Sequence, residues 1–100
     1  MKRDETKTRW SHMPWEGLEG AANIITEKAI KFKEKRGKPE WADLEDSEYR
    51  YLDALIRHAV AIQKGELMDP DSERPHTEHL IANSIILDDI LRRKSSLKSI

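Results

Sequence analysis

The chain has 100 residues, which is enough for one domain, and a chain of this length buries roughly two-thirds of the surface that its unfolded form exposes. Since it contains no cysteine, disulfides, thiolate metal sites and a thiol nucleophile are excluded, and we expect a cytoplasmic protein. No apolar run approaches the roughly 18 residues that a membrane span needs, so a membrane is not an expected partner.

The net charge of −1 conceals an uneven distribution. Basic residues are in excess in residues 1–13 and again at the end of the chain, whereas the middle is acidic. A nucleic-acid duplex is therefore not an expected partner of the folded core, because neutralising phosphates requires an excess of Lys and Arg. Clustered carboxylates favour a divalent cation, with an ordinary solvated acidic surface as the alternative.

Helical periodicity begins with an apolar stripe in the first third of the chain. Alternating spacings of four and three residues place its members on one helical face: Leu18, Ala22, Ile25, Ala29 and Phe32. Gly37 and Pro39 predict the end of this first helix.

A second stripe predicts a second helix, and its members are Leu52, Leu55, Ala59 and Ile62. Asp46 and Ser47 precede it as candidate caps, and Gly65 stands where a C-terminal glycine belongs. The third predicted helix begins near Pro75, which suits a first helical turn, and fades at residues 94–96. It continues through Leu80, Asn83, Leu87 and Ile90 or Leu91.

No segment alternates with the period of a strand, so the predicted fold class is all-α, a small bundle of three main helices. We expect a flexible basic segment over residues 1–13, one helical domain over residues 14–94 and a flexible tail over residues 95–100. Only 37% of the residues are hydrophobic, which predicts a weak single-chain core. A homodimer or higher homo-oligomer is therefore expected, with the first or third helix at the interface.

Polar residues of chemical interest lie on the second and third predicted helices. His76, His79 and Asn83 stand at i, i+3 and i+7, so they share one face, which we expect to point inward. His58 follows Arg57 on the second helix. Arg57 is either a phosphate ligand or half of a surface ion pair with Asp53, and each histidine is either functional or part of a satisfied polar network.

The loop between these helices is rich in carboxylates, with Glu66, Asp69, Asp71 and Glu73 inside eight positions. That density suits a hard cation that bridges phosphate oxygens. The alternative is a proline-containing turn in which the aspartates cap the backbone. Spacing alone leaves both uses open.

The pattern A-L-x-R-H, followed by G-E-x-x-D-P-x-S-x-x-P-H-x-x-H-x-x-x-N, resembles the phage-associated dATP/dGTP diphosphohydrolases, relatives of the all-α MazG-like pyrophosphohydrolases. The residues that match are Ala54, Leu55, Arg57, His58, Gly65, Glu66, Asp69, Pro70, Ser72, Pro75, His76, His79 and Asn83. Asp71 stands where that family has Glu, Glu73 where it has Gly, and Arg74 where it has an apolar residue.

The resemblance implies metal-dependent hydrolysis of purine deoxynucleoside triphosphates to the monophosphate and pyrophosphate, in the host bacterial cytoplasm if the chain is phage-encoded. Glu66, Asp69 and Asp71 would then bind Mg²⁺ or Mn²⁺. His58, His76 and His79 would be catalytic. The residues expected to contact the nucleotide are Arg57, Asn83, Trp41 and Lys31.

Two other functions stay open at this point. The altered loop motivates a protein that binds and sequesters a nucleotide without turnover. The histidines motivate a metal hydrolase in which His58, His76, His79 and a loop Asp hold zinc, manganese or iron, because imidazole suits those metals better than magnesium.

Overall fold

The structure is a computed structural model that describes residues 6–99, with side chains as far as residue 95. Its main elements are three helices: α1 (Trp15–Lys31), α2 (Ser47–Gln63) and α3 (His76–Ser99). The all-α class and the count of three main helices are confirmed. None of the described helices is long and apolar enough to cross a membrane.

A small hairpin between α2 and α3 was not expected. Strands β1 (Met68–Asp69) and β2 (Arg74–Pro75) pair antiparallel, with Met68 opposite Pro75 and Asp69 opposite Arg74. Strands of two residues are too short to show an alternating pattern, so the sequence contains no signal for them. The prediction that the chain has no strand is wrong at this point.

Helix α3 is the central element, because it packs against α2 on one side and α1 on the other. The core, which we term the apolar cluster, consists of Trp41, Tyr51, Ile86 and Ile90. Ile25 of α1 packs against it. Trp41 belongs to a short 3₁₀ turn (Glu40–Ala42) that covers the end of the bundle opposite the hairpin.

Helix α1 ends earlier than predicted, at Lys31 rather than at Gly37 and Pro39. Lys33 adopts a left-handed conformation with φ 52°, and its N–H donates to the carbonyl of Ile30 at 3.1 Å. This is the backbone arrangement that usually ends a helix at a glycine. Because a lysine occupies the position, the sequence carried no signal for it.

Helix α2 ends as predicted at Gly65, whose φ of 93° favours glycine. The N–H of Gly65 donates to the carbonyl of Ile62 and that of Glu66 to the carbonyl of Ala61, both at 2.9 Å. The predicted cap at the other end is wrong: Asp46 precedes the helix with φ 60°, and its side chain makes no capping hydrogen bond.

The predicted stripes are only partly buried. Ala22 and Phe32 of the first stripe and Leu52 of the second are exposed, whereas Tyr51 is buried. Helix α3 begins immediately after Pro75 and continues past residues 94–96 to Ser99. Residues 1–5 of the predicted N-terminal segment lie outside the described residues, and the predicted domain boundaries stay predictions.

Candidate active site

Three imidazoles meet where α2 and α3 approach the hairpin, and we term His58, His76 and His79 the histidine cluster. The rings of His58 and His79 stack with centroids 4.6 Å apart and planes 5° apart. Nδ1 of His58 lies 2.8 Å from Nδ1 of His76. His76 and Asn83 are buried and His79 is partly buried, which confirms that this face of α3 points inward.

Glu66 fixes the hydrogen positions on two of these rings. Its Oε1 lies 2.7 Å from Nε2 of His76, and a carboxylate only accepts, so His76 donates its Nε2–H. A His76 ring that carries its hydrogen on Nε2 alone accepts at Nδ1, and the Nδ1–H of His58 then donates to it. Assigned in this way from the hydrogen-bond network, Nε2 of neutral His58 keeps a free lone pair.

Ser72 connects the third histidine to Asp69. The Ser72 hydroxyl donates to Oδ2 of Asp69 at 2.8 Å and accepts from Nε2–H of His79 at 2.6 Å. It also accepts from the backbone N–H of Arg74 at 3.3 Å. Ser72 was not among the predicted site residues, although it is part of the quoted motif and lies in the turn that follows Asp69.

The charges of the site follow from these contacts. Burial, followed by the neighbouring His79 and His76, lowers the pKa of His58. His58 is therefore neutral at pH 7, as the free lone pair requires. Burial alone would raise the pKa of Asp69, but hydrogen bonds from Ser72 and from the Asp71 amide, with His79 nearby, hold that pKa below its usual value.

The hairpin that presents Asp69 and Ser72 contains one unfavourable residue. Glu73 has φ 61°, a left-handed conformation that favours glycine, and its N–H donates to the carbonyl of Asp69 at 2.8 Å. A non-glycine residue there costs roughly 1–2 kcal/mol. This conformation explains the glycine that the resembling family has at this position. This chain has Glu73 there instead.

Arg74 connects the hairpin to α1 and α3. Its guanidinium pairs with Glu27 of α1 and, at 3.3 Å, with Glu78 of α3. Arg74 stands where the resembling family has an apolar residue, so in this chain an ion-pair network anchors the hairpin at that point. These ion pairs hold β2 in place, and His76 follows β2 directly as the first residue of α3.

A groove of about 420 Å³ on the α2 surface begins beside Glu66 and is lined by Ile56, Arg57, Val60, Ala61, Lys64 and Glu66. Arg57 and Lys64 bring two cations to it, which suits an anionic ligand. The alternative ion pair of Arg57 with Asp53 is not found within residues 6–95. Lys64 was not among the predicted site residues.

Asn83 is buried on the same face of α3 as His76 and His79. Its amide makes no hydrogen bond within the part of the chain that the structure describes. Its amide keeps all of its hydrogen-bonding capacity beside the histidine cluster, which suits a contact with a ligand.

The predicted metal ligands do not converge. Glu66 binds His76, Asp69 binds Ser72, and Asp71 is exposed with only its backbone N–H reaching Asp69, at 3.3 Å. Among residues 6–95 no three His, Asp or Glu side chains are grouped to hold a metal ion. The arrangement therefore does not fit a bound Mg²⁺ or Mn²⁺, and the metal stays a prediction.

The histidine-centred metal site also fits poorly. Two nitrogens bound to one tetrahedral zinc, each at about 2.0–2.1 Å, lie roughly 3.3 Å from each other. The Nδ1 atoms of His58 and His76 are 2.8 Å apart, which is a hydrogen-bond distance. In this arrangement the two rings bind one another.

Two predicted nucleotide contacts lie away from the histidine cluster. The indole N–H of Trp41 donates to Oδ2 of Asp89 at 2.6 Å, ten residues along α3 from His79, or about 15 Å at the rise of a helix. Lys31 is exposed, with its amino group 5.4 Å from the centroid of the Phe32 ring. The structure therefore brings together the histidines, Glu66 and Asp69, but not Trp41 or Lys31.

The fold and site define an all-α bundle in which imidazole–carboxylate pairs lie beside a cationic groove, an arrangement suited to acid–base chemistry on an anionic small molecule. The family model described as dATP/dGTP diphosphohydrolase, N-terminal, matches residues 1–99, so the chain belongs to this family. The resemblance stated from the motif is confirmed. Comparisons with curated proteins and with solved structures gave no match.

Proposed function

We propose that the chain hydrolyses purine deoxynucleoside triphosphates, dATP or dGTP, to the monophosphate and pyrophosphate. The family membership supports a nucleotide substrate. The observation that carries the proposal is the chain of contacts from Glu66 through His76 to Nδ1 of His58, which assigns the free lone pair to Nε2 of His58. A neutral imidazole with a fixed tautomer is suited to act as a general base near neutral pH.

In the proposed reaction His58 activates water. A water oxygen bonds to the α-phosphorus while one proton moves to Nε2 of His58, and the bond from the α-phosphorus to the bridging oxygen breaks, so that pyrophosphate leaves with the electron pair. As His58 gains charge, its Nδ1–H donates more strongly to His76, which in turn donates to Glu66. Charge forming at His58 is thereby stabilised by a carboxylate two hydrogen bonds away.

In this proposal the groove binds only the phosphates that leave as pyrophosphate, since Glu66 both lines the groove and contacts His76 of the histidine cluster. Arg57 and Lys64 line it, and the guanidinium of Arg57 has the planar geometry for two phosphate oxygens. We expect Arg57→Ala to weaken nucleotide binding by roughly 2–4 kcal/mol, about 30-fold to 1000-fold. Calorimetric titration measures this, and an unchanged affinity would remove Arg57 from the site.

Product analysis with each of the four deoxynucleoside triphosphates tests the reaction. The expected products are purine deoxynucleoside monophosphate and pyrophosphate in equal amounts, separated by ion-exchange chromatography. Diphosphate with inorganic phosphate, or no product, would contradict the proposal. Addition of a chelator tests the predicted Mg²⁺ or Mn²⁺ directly: full activity after chelation would exclude a metal requirement.

A second candidate function is nucleotide binding without turnover. The left-handed Glu73 and the exposed Asp71 favour it, because both are departures from the family pattern in the loop that holds Asp69. Under this function the protein retains an intact triphosphate. Mass spectrometry of the nucleotide recovered after incubation separates the two, since turnover leaves only monophosphate.

A further inference from the structure

Helix α2 has a second apolar face that points away from α3. Four residues spaced by three, four and four positions form it: Tyr49, Leu52, Ile56 and Val60, which we term the outer row. Their exposed fractions are 64%, 37%, 50% and 40%. Tyr51 and His58 occupy the opposite, inward face. A helix that is apolar on both faces is typical of one that is covered on both faces.

Two opposite charges lie along one edge of the outer row. Asp53 and Arg57 are one helical turn apart, so an ion pair between them within the helix is geometrically available. The structure does not form it, and within residues 6–95 neither side chain has a hydrogen bond or ion pair. In the nucleotide-free chain both charges are therefore available to another molecule.

We propose that the outer row binds the α2 helix of a second copy of this chain, antiparallel and related by a two-fold axis. Such an axis keeps the same edge of the two helices together and reverses their direction. With the axis near the middle of the row, Asp53 lies beside Arg57 of the second copy, and Arg57 beside its Asp53. Tyr49 then lies near Val60 of the second copy, and Leu52 near its Ile56.

The charge pattern selects this partner. A two-fold rotation exchanges the positions of the two edge charges, so the outer row is complementary to itself. Each dimer gains two ion pairs together with a continuous apolar contact. The sequence predicted an oligomer through the first or third helix, whereas the exposed row and its charges assign the interface to α2. Because Ile56 and Val60 also line the groove beside Glu66, the second copy would form one wall of it.

Charge reversal with restoration tests the interface. Sedimentation equilibrium without nucleotide, over micromolar protein concentrations, measures the dimer dissociation constant for wild type, Asp53→Arg, Arg57→Asp and the variant with both changes. Each single reversal places like charges together twice per dimer, so we expect that constant to rise on the order of 100-fold. The double variant restores both pairs and is expected to dimerise within a few-fold of wild type.

A matched control is Glu19→Arg, which reverses an exposed charge on α1. Thermal unfolding at a protein concentration below the dimer dissociation constant should be similar for all variants, since the altered side chains are exposed in the monomer. A monomeric wild type would overturn the proposal. The proposal would also be overturned if Glu19→Arg dissociated the dimer while Asp53→Arg and Arg57→Asp both left it intact. The interface would then lie elsewhere. Neither readout involves hydrolysis, so a failure of the dimer is distinguishable from a failure of the proposed reaction.

Discussion

The two ends of the interface between α2 and α3 are built from opposite kinds of side chain. Around the 3₁₀ turn the apolar cluster is stabilised mainly by burial, with one hydrogen bond from the indole of Trp41 to Asp89. At the hairpin the histidine cluster is held by hydrogen bonds that fix which nitrogen carries each proton. Buried polar groups cost free energy unless they are satisfied, so this end contributes orientation rather than stability. The comparison assigns folding to one end and chemistry to the other.

Replacement of His58 gives the largest expected effect and tests the hairpin end. His58→Gln removes the proposed base, and we expect the rate of pyrophosphate release to fall by about 10²–10⁴-fold, the usual contribution of general base catalysis. The free energy of unfolding should fall by only about 1 kcal/mol, because His58 is partly buried but buried His76 loses its donor. The control is His12→Gln, an exposed histidine in the turn before α1. Equal activity of the two variants would end the assignment of His58 as base.

The converse variant is Ile86→Ala in the apolar cluster. Ile86 is 1% exposed, so truncation leaves a cavity and should lower the free energy of unfolding by roughly 2–5 kcal/mol. The rate of hydrolysis by the folded fraction should be unchanged. Chemical denaturation and activity measured on the same samples check both statements. If the folded fraction of Ile86→Ala also hydrolysed the nucleotide more slowly, folding and chemistry would not be separated between the two ends.

Much of the fold was predictable from local chemistry, and the exceptions have physical causes. Gly65 ends α2 because its positive φ has a low energetic cost only for glycine. A glycine at this position can be read directly from the sequence. Lys33 ends α1 in the same conformation, but a lysine gives no such signal. Phe32 and Leu52 fit a helical stripe yet are exposed, because the packing of three helices decides which face is covered.

The candidate site divides in the same way. Helical spacing put His76, His79 and Asn83 on one face, and the structure confirms that this face points inward. His58 and His76 are 18 positions apart and lie on different helices. The spacing of residues along one helix does not predict a contact between two helices. Ser72 was missed for the same reason, since its bridge to His79 depends on the hairpin.

Glu73→Gly tests whether the hairpin end is strained by its sequence. Glycine adopts the φ of 61° without the cost that a side chain brings, so we expect the free energy of unfolding to rise by about 1 kcal/mol. Greater order around Asp69 and Ser72 should also increase hydrolysis, if turnover occurs. The matched control is Glu45→Gly, an exposed glutamate with a negative φ, for which glycine is expected to bring no such gain. A fall in stability for Glu73→Gly would contradict the strain.

The smallest expected effect is the pH dependence that His58 brings. Its pKa is lowered in the folded protein by burial and by His79 and His76, whereas in the unfolded chain it has the ordinary value of about 6.5. As pH falls through about 6.5 the unfolded chain therefore binds a proton before the folded protein does, and the free energy of unfolding decreases.

The lowered pKa of Asp69 acts in a separate window. It stabilises the fold above the ordinary aspartate value, and this contribution is lost only as pH falls through the lowered pKa, in more acidic solution. Melting temperatures of wild type and His58→Gln between about pH 7.5 and about pH 5.5 isolate the histidine. On acidification the melting temperature of wild type should fall more than that of the variant. Hydrolysis by wild type should decline only below the ordinary histidine pKa. Parallel melting curves would mean that His58 keeps an ordinary pKa, which would remove the electrostatic support for a neutral base at the hairpin end.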